Sequence, residues 1–209
     1  MMQPKSCHLY MIFLKIGFMA KILKIFPTAL YLEDNVLNDK ELKETVKLCK
    51  DISKKTPSKQ VWVSDTYNTL MTHNIVDDRR FKNVLDKITY HVNQFNKEHL
   101  SNYKYKPTAG WFTIYKKAQD FQESHIHVDH TYSAVLFIKS NEHSSSLYFE
   151  KVAEDMIAPK NRTDLNELTY NNYQFRPVPG RLIIFKSSLR HFVPPSKKDN
   201  ERISIAINY

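Results

Sequence analysis

Hydrophobic and polar positions along the chain change period near residue 109. Before it, Leu42, Val46, Cys49 and Ile52 recur at helical spacing. They follow Asn38-Asp39-Lys40-Glu41, a capping residue with Glu three positions later, so a helix is predicted from there to a stop before Pro57. A second stripe, Phe81, Val84, Leu85, Ile88, Val92 and Phe95, predicts a helix starting near Asp77. Residues 22–32, rich in Ile, Leu, Phe and Tyr, read as an opening strand with Pro27 at an edge, and Val61-Trp62-Val63 as a short strand. After residue 109 the pattern is that of strands: 110–115, 122–128, 133–138, 146–150, 173–176, 181–185 and 202–208. Residues 151–172 are a polar excursion, and the loop 140–172 is the expected substrate lid.

Short strands at this spacing, with two helices ahead of them, predict a mainly β protein with flanking α helices. The expected architecture is a jelly roll, the cupin-like double-stranded β-helix, with the helices buttressing one sheet. With 209 residues the chain is read as one domain. Its start is read at Met19, with residues 1–18 as an N-terminal extension and 19–209 as the jelly-roll domain. The apolar stretch Leu9–Ala20, broken by Lys15, is too short and too charged to span a bilayer.

Composition changes this picture little. A hydrophobic share of 42% and a charged share of 25% are those of a globular protein. The net charge of +9 comes mostly from dispersed lysines, which permits nucleic acid or another anion as a partner without specifying one. Two cysteines, Cys7 and Cys49, supply neither a disulfide framework nor a Cys-x-x-Cys site, and a reducing, cytoplasmic location is expected. Cys49 is read as a core residue.

The chemistry lies in His125-Ile126-His127-Val128-Asp129. Alternate residues of a strand share a face, so His125, His127 and Asp129 converge if the strand persists that far. His191, beyond the strand 181–185 and a turn, is the candidate for a ligand delivered by a loop. Two imidazoles and a carboxylate leave three positions open on a non-haem Fe(II). Arg202 and Ser204 share a face of the last strand, eleven and thirteen positions after His191. A guanidinium fork beside a hydroxyl suits the distal carboxylate of 2-oxoglutarate, and Tyr115 on a neighbouring strand can add a third hydrogen bond. Singly, His-x-His or Arg-x-Ser means little. Their order and spacing together carry the reading.

The segments Gly110-Trp-Phe-Thr-Ile-Tyr115, Gln122-Glu-Ser-His-Ile-His127, Ser133-Ala-Val-Leu-Phe-Ile138, Pro179-Gly-Arg-Leu-Ile-Ile-Phe185, His191-Phe-Val-Pro194 and Arg202-Ile-Ser-Ile-Ala-Ile-Asn208 resemble the 2-oxoglutarate/Fe(II) dioxygenase superfamily. They are most similar to a small oxygenase family frequently encoded by marine bacteria and their phages. The resemblance runs from about residue 22 to the end, and its C-terminal motifs are the specific ones. It implies Fe(II), 2-oxoglutarate and dioxygen, with hydroxylation of a substrate C–H and release of succinate and carbon dioxide.

The family's His-x-His-Pro-x-Ser reads His125-Ile-His127-Val-Asp129-His130 here. Two registers stay open. In one, His125 and His127 are ligands, and Val128–Tyr132 forms the turn before the next strand. In the other, His127 and Asp129 reproduce the superfamily's His-x-Asp. His191 belongs to both, and the family register is preferred. The substrate is left open among a protein side chain, a nucleobase and a small metabolite. The rival readings are a jelly-roll binding module without turnover and a basic accessory protein of nucleic acid.

Overall fold

The computed structural model describes residues 27–151, 164 and 169–209. The first helix, α1 (Asp39–Ser53), starts where its capping box places it. The Asn38 side chain accepts from the Glu41 N–H at 3.0 Å, and the Glu41 carboxylate accepts from the Asn38 N–H at 2.9 Å. The second, α2 (Lys82–Glu98), begins later than the spacing predicts. Two single 3₁₀ turns, Ile75–Asp77 and Arg79–Phe81, occupy the expected first turn. The Asn74 and Asp78 side chains accept from the N–H groups of Val76 and Arg80, offering the backbone an alternative to the helix.

The strands are β1 (Leu30–Glu33), β2 (Tyr67–Asn68), β3 (Ala109–Tyr115), β4 (Gln122–His125), β5 (Tyr132–Lys139), β6 (Leu147–Glu150), β7 (Asn172–Phe175), β8 (Leu182–Lys186), β9 (His191–Val193) and β10 (Arg202–Asn208). They form two antiparallel sheets, a larger one in the order β1-β8-β5-β10-β3-β2 and a smaller one in the order β4-β9-β6-β7. This is the expected jelly roll, mainly β with two helices.

Strand parity divides the interior in two. Ile203, Ile205 and Ile207 of β10 join Ala134, Leu136 and Ile138 of β5, and Leu182 and Ile184 of β8, in a core beneath α1 and α2 that also takes in Cys49. Each fully buried Ile or Leu there contributes about 1.5–3 kcal/mol relative to exposure. The opposite parity, Val135, Phe137, Ile183 and Phe185, packs with Leu147, Phe149 and Val193 of the smaller sheet. The helices therefore cover one face of the larger sheet and leave the other to the site.

Three further expectations are corrected. The opening strand is Leu30–Glu33, shorter than the predicted 22–32, of which residues 22–26 lie outside the described residues, as do the 18/19 boundary and Cys7. Val61–Val63 is a bend and not a strand, because the Val63 N–H is taken by the Glu123 carboxylate instead of a ladder partner. The fourth strand ends at His125 and not at residue 128. Of the expected lid, 140–172, residues 152–163 and 165–168 lie outside the described residues. Among the described residues no helix is long and apolar enough to cross a membrane.

Candidate metal centre

Two short strands of the smaller sheet bring the first histidines together. His125 ends β4 and His191 begins β9, and the two are cross-strand partners, with ring centroids 4.2 Å apart. His191 is thus delivered by a strand and not by the loop expected. His127 follows on extended chain whose N–H bonds the Ser187 carbonyl at 2.9 Å. Its ring centroid lies 5.3 Å from that of His125 and 5.0 Å from that of His191. One ligand atom from each of His125, His127 and His191 falls within 4.8 Å of the others.

Hydrogen bonds orient all three rings alike. The Nδ1 atoms of His125 and His191 lie 2.7 Å from the Glu123 carbonyl oxygen and 2.9 Å from that of Leu189. His127 Nδ1 lies 2.6 Å from Asn208 Oδ1. A carbonyl oxygen can only accept, so each Nδ1 carries the proton and each Nε2 keeps its lone pair free. The Ser133 hydroxyl braces this arrangement, bonded to His127 Nδ1, Asn208 Oδ1 and Ser187 Oγ. Such outer contacts fix a ligating imidazole's tautomer and direction. His125 Nε2 is buried without a protein partner.

Burial holds the imidazoles neutral. Loss of water lowers the pKa of His125 and of His191, the latter well below its ordinary value, and lowers that of His127 to about 4. These groups bind protons more readily in the unfolded chain, near pH 6.5. Their contribution to stability is therefore complete above that pH and is lost as pH falls toward 4. Urea unfolding of the metal-free protein is expected to show a stability loss of about 2 kcal/mol from His127 alone between pH 7 and pH 5. His127→Asn should flatten that slope, and an equal slope in the variant would refute its origin.

Asp129 stands apart from this cluster. It is exposed, in a turn, with φ of +64°. The chain has left the extended conformation, so the alternation that would bring Asp129 to the face of His127 no longer applies.

The other expected residues meet in the chamber next to the histidines. Arg202, Ser204 and Tyr115 line it together with His125, His127 and His191. Arg202 pairs with Tyr115 across β10 and β3, and its guanidinium lies 4.6 Å from the Tyr115 ring centroid and 5.2 Å from that of Phe137. It is 2% exposed, and its Nε and Nη1 have no hydrogen-bond partner in the protein. The Tyr115 hydroxyl donates to Gln122 Oε1 at 3.3 Å. The donor set fits the expected groups: imidazole nitrogens suit Fe(II), and a dry, unpaired guanidinium suits a carboxylate.

Sequence reasoning missed Asn208, Ser133 and Ser187. A signal was present for two, because Asn208 has the parity of Arg202 and Ser204, and Ser133 that of Val135 and Phe137. His91 and His99, off the apolar stripe of α2, are half-buried: His91 Nδ1 contacts the Tyr31 hydroxyl and His99 Nδ1 the Phe95 carbonyl. The positive charge is partly paired, with Lys47 and Lys54 on Asp51 and Lys50 and Lys139 on Glu201.

Residues 109–208 match the model of a family described as "Putative 2OG-Fe(II) oxygenase". No protein of curated function matches the chain in sequence. Among solved structures, a prolyl-4-hydroxylase from Pseudomonas putida is 16% identical, with a TM-score of 0.61 over 87% of this chain and 92% of that one. A prolyl hydroxylase from Trichoplax adhaerens, in complex with a hypoxia-inducible-factor peptide fragment, is 14% identical, with a TM-score of 0.59 over 86% of this chain and 82% of that one. An oxidoreductase of the 2OG-Fe(II) oxygenase family from Burkholderia pseudomallei is 14% identical, with a TM-score of 0.61 over 86% of this chain and 84% of that one.

Proposed function

We propose that the chain, whose residues 109–208 match a family of 2OG-Fe(II) oxygenases, uses Fe(II), 2-oxoglutarate and dioxygen to hydroxylate a substrate C–H, with release of succinate and carbon dioxide. His125, His127 and His191 hold the metal through Nε2. Arg202 and Ser204, with Tyr115 beside them, hold the distal carboxylate of 2-oxoglutarate. The observation that carries this reading is Arg202, a buried cation with two unpaired donor atoms opening into the chamber that the three histidines line. A binding module without turnover has no use for such an anchor.

Fe(II) held there supplies the redox chemistry, in which dioxygen is consumed as 2-oxoglutarate loses carbon dioxide and one oxygen atom reaches the substrate C–H. The protein's own part is positioning. Arg202 fixes the cosubstrate end to end, and no reorganisation is needed, because the guanidinium is already held between the Tyr115 and Phe137 rings. Val135, Leu147 and Val193 give the same chamber an apolar wall beside its polar groups. The neutral imidazoles need release no proton at Nε2 to bind the metal. For the substrate, the two prolyl hydroxylases among the similar structures favour a protein side chain over a nucleobase or a small metabolite.

Anaerobic titration of the Fe(II)-loaded protein with 2-oxoglutarate tests the reading. A saturable visible charge-transfer band is expected, and His191→Ala should lose both band and iron. Iron bound with no band, or a His191→Ala protein that retains both, would overturn it.

A further inference from the structure

A groove of about 610 Å³ lies between α1, the end of β5 and the turn before β8. It shares no lining residue with the chamber. Its apolar lining is Leu42, Val46, Ile138 and Pro179. Leu42 and Val46 are one helical turn apart, and both are only half-buried where they pack on the core beneath α1. The β8 side is held in place: the Gly180 N–H donates to the Phe137 carbonyl at 2.7 Å, and the Phe137 N–H to the Arg181 carbonyl at 3.0 Å. The groove therefore exists before anything enters it.

Positive charge runs along its length. Lys43, Lys47, Lys50 and Lys54 follow at spacings of four, three and four, which sets them in one row on α1 and its cap, over about 16 Å. Lys139 adds a fifth amine from β5. Two carboxylates serve four of these lysines. Asp51 takes Lys47 at 2.6 Å and Lys54 at 3.3 Å, and Glu201 takes both Lys50 and Lys139. Lys43 has no ion pair among the described residues. The Lys47 and Lys54 side chains are 79% and 74% exposed, so their pairs with Asp51 are weak and exchange readily for a carboxylate from outside.

An apolar trough bordered along its length by cations matches a partner with an apolar edge and a row of carboxylates. An amphipathic helix has that layout, with its anchors at every third or fourth residue. A lipid with one anionic head would use only one end of the lysine row. A nucleic-acid backbone would satisfy the lysines and leave Leu42, Val46 and Pro179 in water. The first 26 residues of the chain itself hold four lysines and no Asp or Glu, and a second copy carries a net charge of +9, so neither complements the row.

We propose that this groove docks an acidic amphipathic helix of a partner protein, its apolar edge on Leu42, Val46, Ile138 and Pro179 and its carboxylates on the lysine row. The inference is independent of the oxygenase reading, because the groove lies on the helical face of the larger sheet and the chamber on the other.

The test is fluorescence anisotropy with a labelled peptide of about fourteen residues, roughly 21 Å as a helix, with leucines on one face and glutamates on both flanks. Saturable binding is expected, weakened about tenfold or more when alanine, which keeps the helix, replaces the leucines. Glutamine in place of the glutamates, or salt at about 0.5 M, should weaken it comparably. Lys43→Gln with Lys47→Gln should cost about fivefold or more. Lys97→Gln with Lys104→Gln removes the same charge at exposed positions elsewhere and should cost nothing, and both double variants should keep the wild-type melting temperature. Absence of binding, equal binding of the alanine peptide, or equal losses in the two double variants would overturn the proposal. So would an oligothymidylate of similar length that binds more tightly than the peptide and is lost with Lys43 and Lys47, which would make the occupant a nucleic acid. Self-association in sedimentation that the same variant abolishes would make it a second copy.

Discussion

The Arg202→Met protein is expected to lose 2-oxoglutarate binding and to melt at a higher temperature than the wild type in the absence of cosubstrate. Both effects have one cause. A guanidinium keeps its charge at any ordinary pH, and here burial opposes that charge and pushes the Arg202 pKa down. Its Nε and Nη1 are unpaired. The Tyr115 and Phe137 rings return about 1–2 kcal/mol through cation–π attraction, against a penalty of several kcal/mol for an unpaired buried ion.

A methionine of similar length removes the penalty and fills the space, so a gain of about 1–3 kcal/mol is expected, or several degrees for a chain of this size. The same change removes a forked, charge-assisted contact to a carboxylate, which should weaken 2-oxoglutarate about a hundredfold or more. Calorimetric titration and thermal melts with and without 2-oxoglutarate measure both. The wild type should gain about 2.7 kcal/mol at a hundred times its dissociation constant and the variant nothing. A variant that melts lower, or still responds to 2-oxoglutarate, would refute the assignment of Arg202 as a poised anion anchor.

His125→Ala is expected to lower metal affinity by about a hundredfold or more, since changes even in outer contacts of a metal ligand cost about ten- to a hundredfold. Asp129→Ala should leave the affinity near that of the wild type. His125 is held by its pairing with His191 and by the Glu123 carbonyl, and its Nε2 is buried and unpaired. Asp129 is exposed in a left-handed turn. Anaerobic Co(II) titration of the two variants decides between the registers, and the reverse order would restore the carboxylate ligand.

The all-imidazole set has a further consequence. If His125, His127 and His191 hold the metal as proposed, three neutral ligands would leave its double positive charge uncompensated, and the dianion 2-oxoglutarate would balance it. Binding of metal and cosubstrate should therefore be strongly coupled.

Particular elements show where the pattern of residues was sufficient. The α1 start was legible because its cap is local: Asn38 and Glu41 satisfy each other's backbone N–H across one turn. The α2 start was misread because an apolar stripe does not reveal Asn74 and Asp78 drawing the same backbone into 3₁₀ turns. Val61-Trp62-Val63 has the composition of a strand, yet its partner is a side chain, Glu123, sixty residues away. The outer contacts of His127 were hidden for a similar reason. Asn208 and Ser133 become neighbours only when β10 and β5 pair in register.

The sequence by itself determined the jelly roll with its helical buttress and put Arg202 and Ser204 on one strand face, because strand parity and helical period are local properties of the chain. It also named His125, His127, Asp129 and His191 as candidate ligands through their order and spacing, with the choice between His125 and Asp129 open. Only the tertiary structure decided that His125 and His191 face each other across a strand pair and that Asp129 turns away. It alone showed Arg202 without a partner. Those facts depend on where β4 stops being extended and on which strands come to lie side by side, and both are settled by packing between segments far apart in the chain.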